Sequence, residues 1–412
     1  MTRAPAQTVI HAGTLLADAG QAPKQRQSVL IKGGKIAALS DGFVAPPDGA
    51  QIVDLKDKFV LPGLIDCHVH LTGQFGPGHR LRVVEDSDAK IGLNGAYHAG
   101  LTLKAGFTTV RDVGALGHPD TIFALRAAVA EGKVPGPRIL CVGTILSPTG
   151  GHGQTYGYRQ DVCACVQSAS GTCDGVDDCR RAVRRQVSYG ADAIKFVATG
   201  GVLSNIRAGI DQQFTDDEIR TIIETAHGLG RRVAAHAHGA DGINAALRNG
   251  VDSIEHGSFL DEESIKLFLS RKAYHVPTII AGVTALEMAK SSPDMTPAQA
   301  EKALMVGTKI KEALARSHKA GVAIAFGTDM GVGPHGQNAR EFAYMVEAGM
   351  TPVAAIKAAT VNAAALLDIA NEAGTIAAGK SADIIAVDGN PLEDVRTLER
   401  VKFVMARGAV FH

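Results

Sequence analysis

Between Gly63 and Thr328 the chain carries eight short apolar segments of strand character, with helical periodicity between them. They are Gly63–His68, Thr108–Asp112, Arg138–Val142, Ala193–Val197, Arg232–His236, Asp252–His256, His275–Ile279 and Val322–Thr328. Continuous apolar strands separated by amphipathic helices predict parallel pairing with helices on the outside, and eight such units favour a closed (β/α)8 barrel. The helical signals are specific in places. Thr215 and Glu218 predict a capping box ahead of Ile219, Ile222, Ile223, Ala226 and Leu229, a stripe at helical spacing, with Gly228 and Gly230 as the stop. An open doubly wound sheet is the alternative, but no G-x-G-x-x-G follows the first strand.

The two ends read differently. Thr8–Ile10, Ser28–Ile31, Lys35–Ala38 and Gln51–Leu55 are strand-like, as are Ala382–Val387 and Val401–Ala406, with turns such as Gly33-Gly34 between them. Both termini are therefore expected to pair in a small β-sandwich, residues 1–59 with 375–412, around a barrel over 60–374. A length of 412 residues suits this, since a barrel uses about 250 as one domain. The 42 basic and 42 acidic side chains cancel, which argues against a nucleic-acid or anionic-membrane partner. No apolar run reaches the roughly 18 residues of a membrane span.

Polar residues stand where the barrel strands end, the place where this architecture assembles active sites. His68 and His70 close the first strand, Lys195 sits in the fourth, and His236 and His238 close the fifth. His256 ends the sixth, and Asp329 follows the eighth. Two imidazoles at i and i+2 on a strand face one side and reach one cation. Asp329 reads either as a helix cap or, beside those histidines, as a ligand. Lys195, within Ala193-Ile194-Lys195-Phe196-Val197, puts an ammonium in an apolar strand. Such a group must pair with a buried carboxylate or lose its proton. A neutral amine captures carbon dioxide, and the resulting carbamate offers two oxygens to two cations.

The motifs LPGLIDCHVH, IKFVATGG, VAAHAHG, SIEHG and FGTD, with the C-terminal GTIAAGKSADIIAVDGNPLEDV, resemble the amidohydrolase superfamily over essentially the whole chain. The subgroup is the binuclear one with a carboxylated lysine. Ala198–Ser204 and Gly151-His152-Gly153 look like the imidazolonepropionase-like branch, which contains Xaa-Pro and Xaa-Arg dipeptidases and ochratoxinase. The resemblance implies a distorted (β/α)8 barrel. It places His68, His70 and Asp329 on one divalent ion, His236 and His256 on a second, and carboxylated Lys195 as the bridge. His238 would face the substrate. Zinc suits imidazole with oxygen ligands, with manganese or cobalt as substitutes.

The implied reaction is metal-dependent hydrolysis of a linear amide, with Asp329 taking and delivering the proton. His152 inherits a contact with the substrate's terminal carboxylate, so the expected partner is a small molecule or dipeptide with a free carboxylate. Arg207 is a second anion clamp or a solvated loop arginine. His335 and Asn338 line the pocket or cap the helix of Glu341. Cyclic-amide hydrolysis is the rival activity. A deaminase would lack the carboxylated lysine, and a non-enzymatic scaffold would have lost ligands. Relatives of this kind form homo-oligomers up to octamers, so the same is expected here.

The loop from Gly143 to about Asp177 is long enough to be a lid, and it holds Tyr156, Tyr158, Cys163, Cys165 and Cys173, with Cys179 just after it. The cysteine spacing fits no common zinc pattern and predicts loop disulfides, whereas Cys67 and Cys141 read as inert core thiols. The start reads as cytoplasmic, and disulfides would instead imply an exported mature form.

Overall fold

The computed structural model describes residues 7–166, 171–204, 209–292 and 294–412. Its first barrel strand, Leu64–Val69, pairs in parallel with Phe107–Asp112, which pairs with Arg138–Cys141. A parallel run follows through Ala193–Val197, Arg232–Ala237, Ser253–His256, Tyr274–Val276 and Ala323–Ile324. Two seams join these halves into the (β/α)8 ring. At one, Asp192 N–H donates to Cys141 O at 2.8 Å, and Leu146, just beyond the third strand, pairs with Phe196. At the other, Cys67 N–H donates to Phe326 O at 2.8 Å and Asp329 N–H to His68 O at 2.7 Å.

Every residue of the fourth strand, Ala193–Val197, is buried, as expected of a strand covered on both faces. The expected seventh and eighth strands differ from those observed. Tyr274–Val276 stops before Thr278, whose φ of 51° breaks the strand and opens the helix Ile279–Ser291. Ala323–Ile324 is short because the chain beyond it turns away from the seventh strand to bond with the first. The capping box is present: Thr215 N–H donates to Glu218 Oε2 at 2.8 Å and Glu218 N–H to Thr215 Oγ1 at 3.4 Å. Helix Asp216–Gly228 buries Ile219, Ile222, Ile223 and Ala226. Leu229, expected on that stripe, is exposed, because it caps the helix and Gly230 turns left-handed behind it at φ 67°.

Both termini contribute to one seven-stranded mixed sheet. Its centre is the long strand Gln51–Pro62, which pairs in parallel with Gln7–Leu15 as far as Val60 and, from Phe59 to Pro62, antiparallel with Ile384–Val387. A register shift between Ala12 and Thr14 kinks the sheet, and Ile10, Val29, Leu55, Ile384 and Met405 pack into a separate core. The expected lid loop is not structureless: it holds helix Gln160–Val166 and the short strand Gly171–Thr172. All six cysteines are free, so the expected loop disulfides are not formed. Cys173 and Cys179 are buried with their sulfurs 3.4 Å apart. Cys67 and Cys141 are buried thiols whose ionisation burial pushes well up. Among the described residues no helix is long and apolar enough to cross a membrane.

The N-terminal rim of the barrel carries stabilising charge. Asp252 accepts from His227 Nε2 at 2.8 Å, Arg232 at 2.7 Å and Val233 N–H at 2.8 Å. Burial opposes its ionisation, yet His227 and Arg232 hold the carboxyl below its ordinary 3.8. The hydrogen bond to Asp252 raises His227 above its ordinary 6.5. The carboxylate's share of stability is therefore complete above about pH 4 and lost as pH falls through the lowered value. The imidazolium's share is complete below its ordinary value and lost as pH rises through the raised one. Asp252→Asn should cost about 1–2 kcal/mol near pH 5.5 in urea unfolding, with the gap narrowing towards both pH 3 and pH 9. A gap independent of pH would rule out this electrostatic account.

Candidate active site

The strand ends converge on a cavity of about 1420 Å³ lined by His68, His70, His152, Lys195, His236, His238, His256 and Asp329. All eight were singled out from the sequence. Arg207 lies outside the described residues. His335 and Asn338 do not line the cavity. His335 stacks on His98, ring centres 4.2 Å apart, and its Nε2 meets Gly73 O at 2.9 Å. Asn338 turns its amide to the buried Asp66 at 2.8 Å. That carboxylate also accepts from Thr328 Oγ1 at 2.6 Å and His68 N–H at 3.1 Å, tying the first strand to the eighth beneath the site.

Backbone strain aims two of the side chains. His256 and Asp329 have φ of 69° and 58°, a region costly for residues other than glycine and found where function needs it. His256 is held there from both sides: its Nδ1 meets Thr278 Oγ1 at 2.7 Å and its carbonyl meets His275 Nε2 at 3.0 Å. His275, whose other nitrogen meets Ser317 at 2.8 Å, is thus a structural histidine.

The hydrogen bonds fix which ring nitrogens face the cavity. His68 Nδ1 donates to Glu255 Oε2 at 2.7 Å and His70 Nδ1 donates to Gly114 O at 2.7 Å. Their Nε2 atoms then point at Asp329 Oδ1, at 3.4 and 3.2 Å. In neutral rings these are lone pairs facing a carboxylate, an arrangement that a shared cation satisfies. Burial opposes the charge of Asp329, but His68 and His70 beside it hold its carboxyl well below the usual range. Ligand atoms of His68, His256 and Asp329 lie within 4.8 Å of one another, as do those of His236, His238 and His256. Both groups therefore fit a divalent ion.

His238 Nδ1 meets Ser258 Oγ at 2.7 Å, leaving Nε2 free. His236 Nε2 lies 3.3 Å from Gly200 O, leaving Nδ1 free. Burial pushes His238 down to about 3 and His236 and His256 well below 6.5, so all three are neutral, the form that binds metal. Lys195 is 2% exposed, and no hydrogen bond or ion pair reaches its Nζ among the described residues. Burial drives its ammonium down to about 8, against the pull of Glu255 and Asp329. The buried-carboxylate partner that a structural lysine needs is absent among those residues.

His152 sits at the cavity wall, its ring 4.4 Å from that of His236, its N–H held by Gln213 Oε1 at 2.8 Å. Its Nδ1 is buried and has no partner among the described residues. Burial, with Lys302 and Lys195 nearby, lowers it to about 4. Gly201 lies under the ring, where any Cβ would overlap it.

Two charged residues that sequence reasoning passed over sit below this cluster. Arg111 and Glu255 are 1% and 0% exposed and pair at 2.8 Å. Each is a buried charge in a barrel strand, but Phe107–Asp112 and Ser253–His256 are of mixed composition, so neither stands out as Lys195 does.

The sequence pattern of the amidohydrolase family matches residues 59–410. The ochratoxinase of Aspergillus niger is 32% identical over 427 aligned positions, covering 96% of this chain and 84% of that protein. A crystal structure of that ochratoxinase superposes with a TM-score of 0.84 at 30% identity, covering 99% of this chain and 96% of the other. A Xaa-Pro dipeptidase crystallised with methionine in its active site superposes with a TM-score of 0.91 at 38% identity, covering 98% of this chain and 100% of the other. A prolidase complexed with N-methylphosphonate-L-proline gives 0.89 at 33% identity, covering 98% and 99%. The chain belongs to the amidohydrolase family and is a hydrolase.

Proposed function

We propose that this amidohydrolase cleaves a linear amide to release a C-terminal amino acid from an N-acyl amino acid or dipeptide. The observation that carries the reading is the pair of ligand groups, His236–His238–His256 and His68–His256–Asp329, beside a buried Lys195 that has no partner among the described residues. The ochratoxinase, dipeptidase and prolidase relatives support the substrate class. His68, His70 and Asp329 would hold one ion, His236 and His256 the second, and carboxylated Lys195 both; zinc suits these donors. When bound, such ions supply Lewis acidity that polarises a carbonyl and acidifies water at neutral pH.

The chain's own groups do the rest. Asp329, its side chain 13% exposed to the cavity, accepts the proton of the attacking water and returns it to the leaving nitrogen. His238, stacked on His256 with ring centres 4.9 Å apart, presents Nε2 to the substrate. His152 donates to the terminal carboxylate through Nδ1, which has no partner among the described residues. Gly201→Ala would push that ring aside. It should raise KM about tenfold, ~1.4 kcal/mol, for an acyl amino acid while leaving its C-terminal amide unaffected. Equal effects on both would remove His152 from the carboxylate.

The test is a mass-spectrometric screen of the metal-loaded protein. The substrates are N-acyl amino acids, Xaa-Pro, Xaa-Phe and Xaa-Arg dipeptides, ochratoxin A and cyclic amides. A released C-terminal amino acid is the expected product. Ring-opened products alone would replace this reading with cyclic-amide hydrolysis.

A further inference from the structure

Beneath the histidine cluster the barrel interior is not the layer of branched apolar side chains usual for this architecture. Arg111, from the strand Phe107–Asp112, and Glu255, from Ser253–His256, meet there across the barrel with their side chains 1% and 0% exposed. Arg111 uses its guanidinium on three targets, one of them Ser253 Oγ, reached from Nη1 at 3.3 Å. Its Nη2 donates to Glu255 Oε1 at 2.8 Å, and its Nε donates to Cys67 O, one residue before His68, at 2.6 Å. Ser253 Oγ completes the Oε1 side at 2.5 Å. The other carboxylate oxygen, Oε2, accepts from His68 Nδ1 at 2.7 Å. Arg111 thus holds both the backbone that leads into His68 and the carboxylate that orients its ring.

A buried ion pair is a poor source of stability, because the desolvation of both charges offsets their attraction. A carboxylate on the far nitrogen of an imidazole does something else: it fixes the tautomer and raises the basicity of the nitrogen that faces a metal. His70 lacks this support, since its Nδ1 bonds the neutral carbonyl of Gly114.

We infer that Arg111 and Glu255 are a positioning pair that holds His68 with Nε2 turned to the cavity and sets the affinity of one of the two metal ions. This rests on the reading of His68 as a ligand. It predicts unequal behaviour of the two ions, which a general loosening of the barrel would not produce.

The experiment measures the affinity of each ion by chelator competition and the absorption spectrum of the cobalt-substituted protein. Glu255→Gln keeps an acceptor but not the charge, and should weaken one ion about tenfold. Arg111→Met with Glu255→Met leaves no lone buried charge, and should weaken the same ion about 100-fold while altering only its part of the cobalt spectrum. If Glu255→Gln does not fold, the double variant decides alone. Unchanged affinities in a folded variant overturn the inference, as does equal weakening of both ions. Wild-type protein that binds no ion would instead overturn the reading of His68 as a ligand.

Discussion

Asp329→Asn should lower kcat about 10²–10⁴-fold while the protein keeps its fold and its metal, since the proposed proton carrier would be lost and general acid–base catalysis is worth that much. The substitution suits the site on two counts. Asparagine is among the residues that best tolerate the left-handed region, so a φ of 58° adds little strain. Its carbonyl oxygen also replaces Oδ1, which faces His68 and His70 at 3.4 and 3.2 Å. What the amide cannot do is take a proton. Elemental analysis of the purified variant beside its steady-state rate separates the two roles. Activity within a few-fold of wild type, with metal present, would exclude Asp329 as the proton carrier. Loss of metal together with activity would leave it as a ligand only.

Lys195→Met is the second large effect, and its sign differs for catalysis and stability. On the proposed reading Lys195 would carry the carbamate that two ions share, so activity should fall at least about 10³-fold and the metal content should drop. The metal-free fold should become more stable by about 1–3 kcal/mol, because an apolar side chain of similar length replaces a desolvated amine with no partner among the described residues. A structural lysine paired to a carboxylate would show the opposite, a less stable apoprotein. Urea unfolding of both chelated proteins gives the sign. A labelled carbamate carbon in wild-type protein equilibrated with ¹³C-bicarbonate, absent in the variant, would identify the modification directly.

These expectations begin from residues that were legible in the sequence, and the reason is local. His68 and His70 stand two residues apart at the end of the strand Leu64–Val69, and Lys195 interrupts an apolar strand whose every residue is buried. Thr215 and Glu218 sit three residues apart in a capping box. Each signal is contained in a few adjacent positions, so periodicity and residue type suffice to read it. Leu229 shows where periodicity ends: the stripe continues in register, but the backbone has already turned at Gly230.

Arg111 and Glu255 lie in strands of mixed composition, Phe107–Asp112 and Ser253–His256, so neither stands out alone. Their strands face one another across the barrel, and only closure of the ring brings the charges to 2.8 Å. Asn338 likewise seemed free to line the pocket until Asp66, from the first strand, supplied its partner. The cysteine loop erred in the other direction. Crowding in sequence suggests disulfides, but all six cysteines are free: Cys163 and Cys165 lie in the helix Gln160–Val166, and Cys173 and Cys179 follow the strand Gly171–Thr172 with their sulfurs 3.4 Å apart.

The sequence by itself therefore determined the alternation of strands and helices, the pairing of both ends in one sheet, and the side chains that stand at the strand ends. All of these follow from spacing along the chain. The tertiary structure decided which nitrogen of each histidine faces the cavity, which buried charge has a partner, and which polar residues are scaffolding. Those outcomes depend on hydrogen bonds between strands far apart in sequence, made only when the barrel brings their ends together.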